Sequence, residues 1–317
     1  LKKNEKTNFF EELKKLRNNI LREYKTNFSK MNNDIMNLEN FRIQTIKEFL
    51  LTNDNEIKFS KKLLSKCCTK GLIPFAKQAR NAFIGKKILI SLVDTRVLSK
   101  KSYFNILSKL ETISHDYIID QKILNNSMNG RKKFKKKYFH LRPNSYDILN
   151  KRYNEKISAN EMDYKEINKL LNFDVKKINK IISIKESKKI NDLLKVNKID
   201  TDVSNLLSFC INSMKLRENY KFMFTRTLSD GVQLLRSFSK RHKIIDSFSN
   251  STINSIHQIK NKKDLLILKK KSINNLKRSE YFDHVKLPYL IISNNDFFVS
   301  SILLSKPNFI SDKNVKG

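Results

Sequence analysis

Residues 9–41 read FFEELKKLRNNILREYKTNFSKMNNDIMNLENF, and the spacing within this stretch decides the fold class. Its apolar positions Phe9, Phe10, Leu13, Leu16, Ile20, Tyr24, Phe28, Met31, Ile35, Leu38 and Phe41 advance mainly in threes and fours, the period of an amphipathic helix. The step slips between Phe41 and Ile43, then resumes through Ile46 to Phe49 and Leu50. One helix of about 40 residues would span roughly 60 Å. A break at Asn32-Asn33-Asp34 would give a helical hairpin instead, because Asn caps and turns a chain. The stripe reads as core packing rather than as a partner-binding heptad.

The same period recurs along the chain. In the block from about Asn55 to Asn125, Thr69 is a candidate cap for a helix with Pro74 in its first turn. Phe75, Ala79, Ala82, Phe83 and Leu89 share one side, and Ala76, Ala79 and Ala82 permit close helix approach. Leu98-Ser99-Lys100 reads as a turn with a Ser cap, after which Tyr103, Ile106, Leu107, Leu110, Ile113 and Tyr117 resume the period. Residues 126–154, with Gly130, Pro143 and the basic run Arg131–Lys137, read as irregular chain. Helical spacing returns from Ala159 through Ile167, Leu170, Leu171, Val175, Ile178 and Ile181, and recurs over Val203–Arg241 and Lys263–Leu276. Leu287–Ile292 fits one short strand, and Asn294-Asn295-Asp296 turns the chain into residues 297–304.

Five Gly and four Pro in 317 residues exclude a collagen-like chain and disfavour turn-rich β-sandwiches and barrels. The expectation is a mainly α protein: a multi-helix domain with long amphipathic helices and a short irregular or β segment near the C-terminus. Residues 1–60 form the long N-terminal helix or hairpin. Residues 61–285 form a helical central domain with an irregular motif loop at 126–154, and 286–317 are a connector. No apolar run reaches the roughly 18 residues of a membrane span, so no membrane partner is expected.

The formal charge is +34, from 65 Lys+Arg against 31 Asp+Glu. Only 13 of those 65 are Arg, the residue preferred where phosphate or carboxylate is gripped bidentately. The Lys-, Asn- and Ile-rich remainder is what an A+T-rich coding sequence produces. A basic helical nucleic-acid-binding protein, using Arg131–Lys137 on phosphate with steep salt dependence, is therefore the alternative reading. Cys67 and Cys68 are adjacent and Cys210 stands alone, so reduced thiols in a cytoplasmic protein are expected. The first residue is Leu1 and its neighbours are polar, which reads as an excerpt of a longer polypeptide without a signal peptide.

Gly-rich nucleotide loops, H-E-x-x-H and G-x-S-x-G are missing from the sequence. None of His115, His140, His242, His257 and His284 has a second ligand at metal spacing, so no metal site is expected. The segment Tyr138-Phe139-His140-Leu141-Arg142-Pro143-Asn144-Ser145-Tyr146-Asp147-Ile148 is different. A His there can serve as general acid or base, and an Arg before a rigid Pro can clamp a phosphate. Equally, the stretch reads as an ordered loop with Arg142 in a structural ion pair.

This segment resembles the Tyr-Gly-His-Leu-Arg-Pro-Gly-Thr-Tyr-Asp-Ile motif of the phosphoenolpyruvate synthase and pyruvate, phosphate dikinase-like family. Three further stretches resemble the same family in the same order. Gly71-Leu-Ile-Pro-Phe-Ala-Lys-Gln-Ala-Arg80 is similar to its Gly-Thr-x-Pro-Phe-Ala-x-x-Ala-Arg helix start. Lys221-Phe-Met-Phe-Thr-Arg-Thr-Leu-Ser-Asp230 is similar to a Phe-x-Phe-Thr/Ser-Arg-x-Leu/Ile-Ser-Asp helix. Lys306–Ser311 with Val315-Lys-Gly317 resembles the approach to the mobile domain. Phe139 stands where the family has Gly, and Asn144-Ser145 where it has Gly-Thr. The family's Gly-rich ATP-grasp sequence and its Thr/Ser-His sequence are not in these residues.

The resemblance implies a relay in which one domain binds ATP with Mg2+, a mobile His is phosphorylated, and phosphate is delivered to a small-molecule acceptor. This chain would be the central region between the ATP-binding and phosphohistidine domains of one polypeptide, inactive alone and without bound cofactor. The resemblance implies catalytic roles for His140 and Arg142, with Arg80, Tyr146, Asp147, Arg226 and Asp230 binding substrate or orienting those cations.

Overall fold

The stripe that opens at Phe9 continues as one helix, α1, over Lys3–Thr52. The computed structural model describes residues 3–52, 55–124, 128–143, 146–173, 181–282 and 293. α1 does not break at Asn32, because that side chain is engaged sideways. Its Nδ2 donates to Leu171 O at 2.8 Å, and its Oδ1 accepts the Tyr220 hydroxyl at 2.6 Å. Asp34 pairs with Lys70 at 2.8 Å, while Phe28, Met31, Ile35 and Leu38 stay buried on either side. Full burial of each such side chain contributes about 1.5–3 kcal/mol. The core-packing expectation needs one correction: Phe9, Phe10, Leu13 and Leu16 are exposed, and the buried part of the stripe begins at Leu21. Periodicity identifies a face but not whether anything covers it.

α2 (Glu56–Cys67), capped by the Asn55 side chain, runs through a π-helical turn at Cys68–Leu72 into α3 (Ile73–Asp94). Thr69 is therefore no cap: it lies inside the π turn, and its hydroxyl bonds back to Ser65 O and Lys66 O. Pro74 has no N–H to give and crowds the carbonyl a turn earlier. The widened turn before it lets the helix pass without ending. Phe83 does not share the buried side either; it is exposed while Ala82 and Leu89 are buried.

Ser99 caps α4 (Lys100–Ser108) by accepting from Ser102 N. The period expected to run on to Tyr117 is divided, because a second helix, α5 (Ile113–Leu124), starts after a break at 109–112. Residues 128–138, expected to be irregular, form α6 (Met128–Tyr138). Lys is a good helix former, and Phe134 and Tyr138, four residues apart, are both buried beside the Tyr117 ring. Irregular chain begins only at Phe139 and lasts to the Asp163 cap of α7 (Tyr164–Leu171), later than the helical return expected at Ala159. Then come α8 (Ile184–Val196), opened by a Ser183–Glu186 capping box, and α9 (Val203–Arg241). Among the described residues there is no strand. The expected strand at 287–292, residues 297–304 and the 306–317 motif lie outside them, as do Val175 and Ile178.

α9 is the element around which the first compact unit, residues 1–245, is built. It is buried on every side, unlike a surface helix with one apolar stripe, and α1, α2, α3, α5, α7 and α8 all pack on it. Many of its polar residues are therefore inside, and several are bonded, although Thr227 Oγ1 and Gln233 Oε1 have no partner and Lys221 is exposed. Asn219 accepts from Ile113 N at the start of α5 and donates to Leu170 O, at 3.0 and 2.7 Å. The second unit, residues 246–317, holds α11 (Ile253–His257) and α12 (Lys262–Phe282), with α10 (Ile245–Ser249) at its start. Among its described residues Phe248, Ile256, Ile259 and Leu268 are buried apolar side chains, and Asn275 bonds to Asn250 O at 2.9 Å.

The closest approach of α3 to α9 is made at Gly85, where an added Cβ would lie 2.9 Å from Cys210 Cα and 2.7 Å from Ser213 Oγ. Backbone on the facing helix cannot move aside cheaply. Gly85→Ala is expected to lower stability by about 1–3 kcal/mol, the usual cost of overpacking, despite Ala's better helix propensity. Thermal or urea unfolding of the variant beside wild type checks this.

Candidate functional site

Residues 139–143 and 146–163 belong to an irregular crossing between α6 and α7. Such a segment carries backbone carbonyls that no helix or sheet satisfies, and burying them unpaired is costly. Here arginines satisfy them. Arg226 donates to Lys137 O at 3.3 Å and Asn160 O at 2.9 Å, and Arg42 also donates to Asn160 O at 2.6 Å. Arg152 reaches Asn154 O at 2.6 Å and Lys156 O at 3.1 Å. Arg236 donates to Ile148 O, and Gln233 to Glu155 O at 2.8 Å.

The same guanidinium groups are held by buried carboxylates. Glu39 takes Arg42 through both oxygens, at 2.7 and 2.9 Å, and Arg226 Nε at 3.1 Å. Asp230 joins Arg42 at 2.8 Å to Arg152 at 2.6 Å, all with fully buried side chains. Arg236 pairs with the half-exposed Glu155 at 3.2 Å. Burial pushes the Glu39 carboxyl up, but Arg226 and Arg42 outweigh it and hold it below its ordinary range. Desolvation lowers Arg226, with Arg42 adding repulsion against the pull of Glu39. Phe139, fully buried, puts its ring among three of these cations: Arg226, Arg152 and Arg42 lie 4.8, 5.3 and 5.5 Å from its centroid. The bulk of Phe139 in place of the family's Gly is thus accommodated as a cation–π platform.

Each residue that the sequence singles out has a definite place. His140 is buried, its ring 4.8 Å from that of Phe222, and neither ring nitrogen has a hydrogen-bond partner. Burial first, then Arg226, Arg42, Arg152 and Arg142, press its pKa well below the usual imidazole value, so the ring is neutral. Arg142 is half-buried. It donates to Asp147 O at 3.2 Å, to Ser229 Oγ at 3.3 Å and to Ser229 O at 3.5 Å, while its Nε has no partner. Ser229 Oγ in turn donates to His140 O at 2.7 Å. Asp147 uses its carboxylate locally, accepting from Leu149 N and Asn150 Nδ2 at 2.9 and 3.2 Å. Tyr146 is half-buried with φ of 78°, a left-handed conformation uncommon for a bulky residue; Asn144 and Ser145 lie outside the described residues. Arg226 and Asp230 are interior members of the ion network. Arg80 is exposed on α3 and is not joined to that network.

The stretches 138–148 and 221–230 therefore meet, through Ser229 with Arg142 and His140, and through Arg226 at the Phe139 ring. Gly71 abuts the same helix, where an added Cβ would lie 2.8 Å from Phe224 Cβ. Glu39, Arg42, Arg152 and Arg236 are the members that the motifs do not contain. Arg42 had a readable signal: it falls on the apolar stripe between Leu38 and Ile46, where Phe41 and Ile43 make the period slip. Chemically, the arrangement is a fixed positive field with one neutral imidazole. Among the described residues, no group of His, Cys, Asp and Glu could hold a metal ion, and no helix is long and apolar enough to cross a membrane. The exposed Arg131, Lys132, Lys133, Lys135 and Lys136 line a separate basic face of α6. No protein-family model matches the chain, and neither the curated proteins nor the solved structures contain a match to it.

Two measurements test this account of the site. Asp230→Ala leaves two buried guanidinium groups without their shared carboxylate and is expected to cost about 3–5 kcal/mol. Lys14→Gln, at the exposed Lys14–Glu11 pair, should leave the unfolding midpoint unchanged. For His140, the folded state binds the proton less well than the unfolded chain, so stability should fall as pH drops below the unfolded value of about 6.5. The slope approaches about 1.4 kcal/mol per pH unit, and His140→Met should flatten it between pH 6.5 and 5. An unchanged slope in that variant would contradict a buried neutral imidazole.

Proposed function

We propose that this chain is the helical central part of an ATP-dependent, phosphoenolpyruvate synthase-like phosphotransferase that relays phosphate through a phosphohistidine. The parent enzyme would use ATP and Mg2+ in the cytoplasm. This part would shape the acceptor site and offer the rigid surface on which the phosphohistidine domain docks. The observation that carries the reading is contact: stretches 71–80 and 138–148, each resembling the family, both touch α9 within the third such stretch, 221–230, the first at Phe224 and the second at Ser229. Phosphoryl transfer needs positioning and positive charge more than covalent help from the protein, and a guanidinium-rich crossing on a rigid helix supplies both.

The geometry divides the roles. Arg142, half-exposed and loosely bonded, is the group best placed to meet a phosphoryl group or acceptor. Arg226 and Asp230 act beneath it as positioning residues, and His140, buried and neutral, sets the seat of the loop. In the full-length protein, Arg142→Ala should leave phosphorylation of the mobile His by ATP intact. Transfer onward to the acceptor should fall by about 10²–10³-fold, the usual cost of removing one electrostatic stabiliser, with the melting curve unchanged. Residues 1–317 given ATP and pyruvate should form neither phosphoenolpyruvate nor AMP. Wild-type transfer by the variant, or turnover by residues 1–317 alone, would remove the reading.

A further inference from the structure

Charge within the crossing does not balance. Arg42, Arg152 and Arg226 are paired to Glu39 and Asp230, each carboxylate shared between two cations. Arg236 has Glu155, which Lys151 and Lys240 also approach at 3.9 and 3.5 Å. Arg142 is left with neutral oxygens. Asp147 offers it a backbone carbonyl while its carboxylate faces Leu149 N and Asn150. No carboxylate among the described residues is within ion-pair distance of Arg142. Four guanidinium groups, Arg42, Arg142, Arg152 and Arg226, thus face the two paired carboxylates and the unpaired Asp147 carboxylate, which acts on Arg142 through space, a formal surplus of 4 − 3 = +1.

Where that surplus is felt is also defined. Burial, then the neighbouring charges of Arg152 and Arg236, hold the Arg142 pKa down to about 10. Its Nε–H is buried without an acceptor, and beside it both nitrogens of the buried His140 lack partners. Unpaired charge and unpaired donors in a low-dielectric setting are costly to keep. They are the usual make-up of a site that receives its missing charge from a ligand, and a guanidinium fork is suited to planar or tetrahedral oxyanions.

We propose that the solvent edge of this cluster, at Arg142, is a receptor for a compact oxyanion, a phosphoryl group or a dicarboxylate, whose negative charge offsets the surplus. The proposal rests on the preceding reading for its place in a reaction, but it requires neither ATP nor a phosphohistidine. The four remaining exposed lysines of the α6 run, with Arg131, are a separate surface and give the internal control.

The experiment is a titration of residues 1–317 with sodium phosphate, with succinate, and with sodium chloride at matched ionic strength, followed by melting temperature and calorimetry. Binding of a dianion raises the melting temperature in proportion to saturation. At least one dianion should give saturable stabilisation beyond that of chloride, and Arg142→Gln should weaken it at least tenfold. A variant with Arg131, Lys132, Lys133, Lys135 and Lys136 all changed to Gln should bind within twofold of wild type. A response to phosphate alone identifies a phosphoryl ligand; a response to succinate alone identifies a dicarboxylate. Without ligand, Arg142→Gln should melt no lower than wild type, because it removes a surplus charge rather than a pair. The proposal is overturned by the absence of a dianion-specific shift, by a shift that survives Arg142→Gln, or by one abolished in the five-residue variant. A ligand-free melt of Arg142→Gln several degrees low would also overturn it, by making Arg142 a structural donor. Dianion binding without phosphotransfer in the full-length protein would sink the preceding reading and leave this one standing.

Discussion

Everything near residues 139–163 depends on one interaction, the grip of buried guanidinium groups on backbone carbonyls of an irregular chain. Helices satisfy their own backbones; this crossing does so only in part. Arg42 from α1 and Arg226 and Arg236 from α9 supply the donors, with Arg152 from the crossing itself, and Glu39 and Asp230 lock the cations in place. Replacing such a network by apolar residues can be neutral for stability, whereas breaking it is not. Its consequence here is geometric: an irregular loop is seated against two long helices with the order of a helix packing.

That arrangement needs a central helix buried all round, which α9 is. Polar residues on its surface lie inside the protein, where bonding offsets the cost of burial, so Ser229, Asp230, Gln233 and Arg236 reach the crossing while Asn219 joins the start of α5 to the end of α7. The close contacts at Gly71 and Gly85 bring neighbouring helices near enough to close the unit around it. Function, on the proposed reading, sits where polar residues of α9 meet the irregular crossing between α6 and α7.

Much of the helical layout was legible. Val203–Arg241 matches its helix from first residue to last, and Ser99 caps where the turn was expected, because both signals are local. Thr69 and the 126–138 stretch misled for a physical reason: a cap residue and a basic run suggest boundaries, but tertiary packing of Phe134 and Tyr138 and the π turn before Pro74 override them. Of the candidate site, the motif residues Arg142, Arg226 and Asp230 stood out in the sequence; Arg226 and Asp230 fall in one buried ion network, while Arg142 bonds Ser229 and Asp147 O instead. Their roles did not stand out, since a sequence does not reveal which charges are interior. Glu39 and Arg42 pair with each other three residues apart but lie more than a hundred residues from Arg226, Asp230 and Asn160, and only the slip at Phe41–Ile43 marks the place.

The most direct measurement of the central claim is hydrogen exchange at single residues across the crossing. The amides of Leu141, Tyr153 and Asn154 are bonded to Tyr138 O, Leu141 O and Phe139 O at 3.0, 3.0 and 3.2 Å. If buried arginines seat the segment on α1 and α9, these amides exchange only when the α9 core opens, with protection equal to that of Met223 and Leu234. Fast exchange at those three positions while α9 remains protected would show that the loop opens by itself, and would contradict the account.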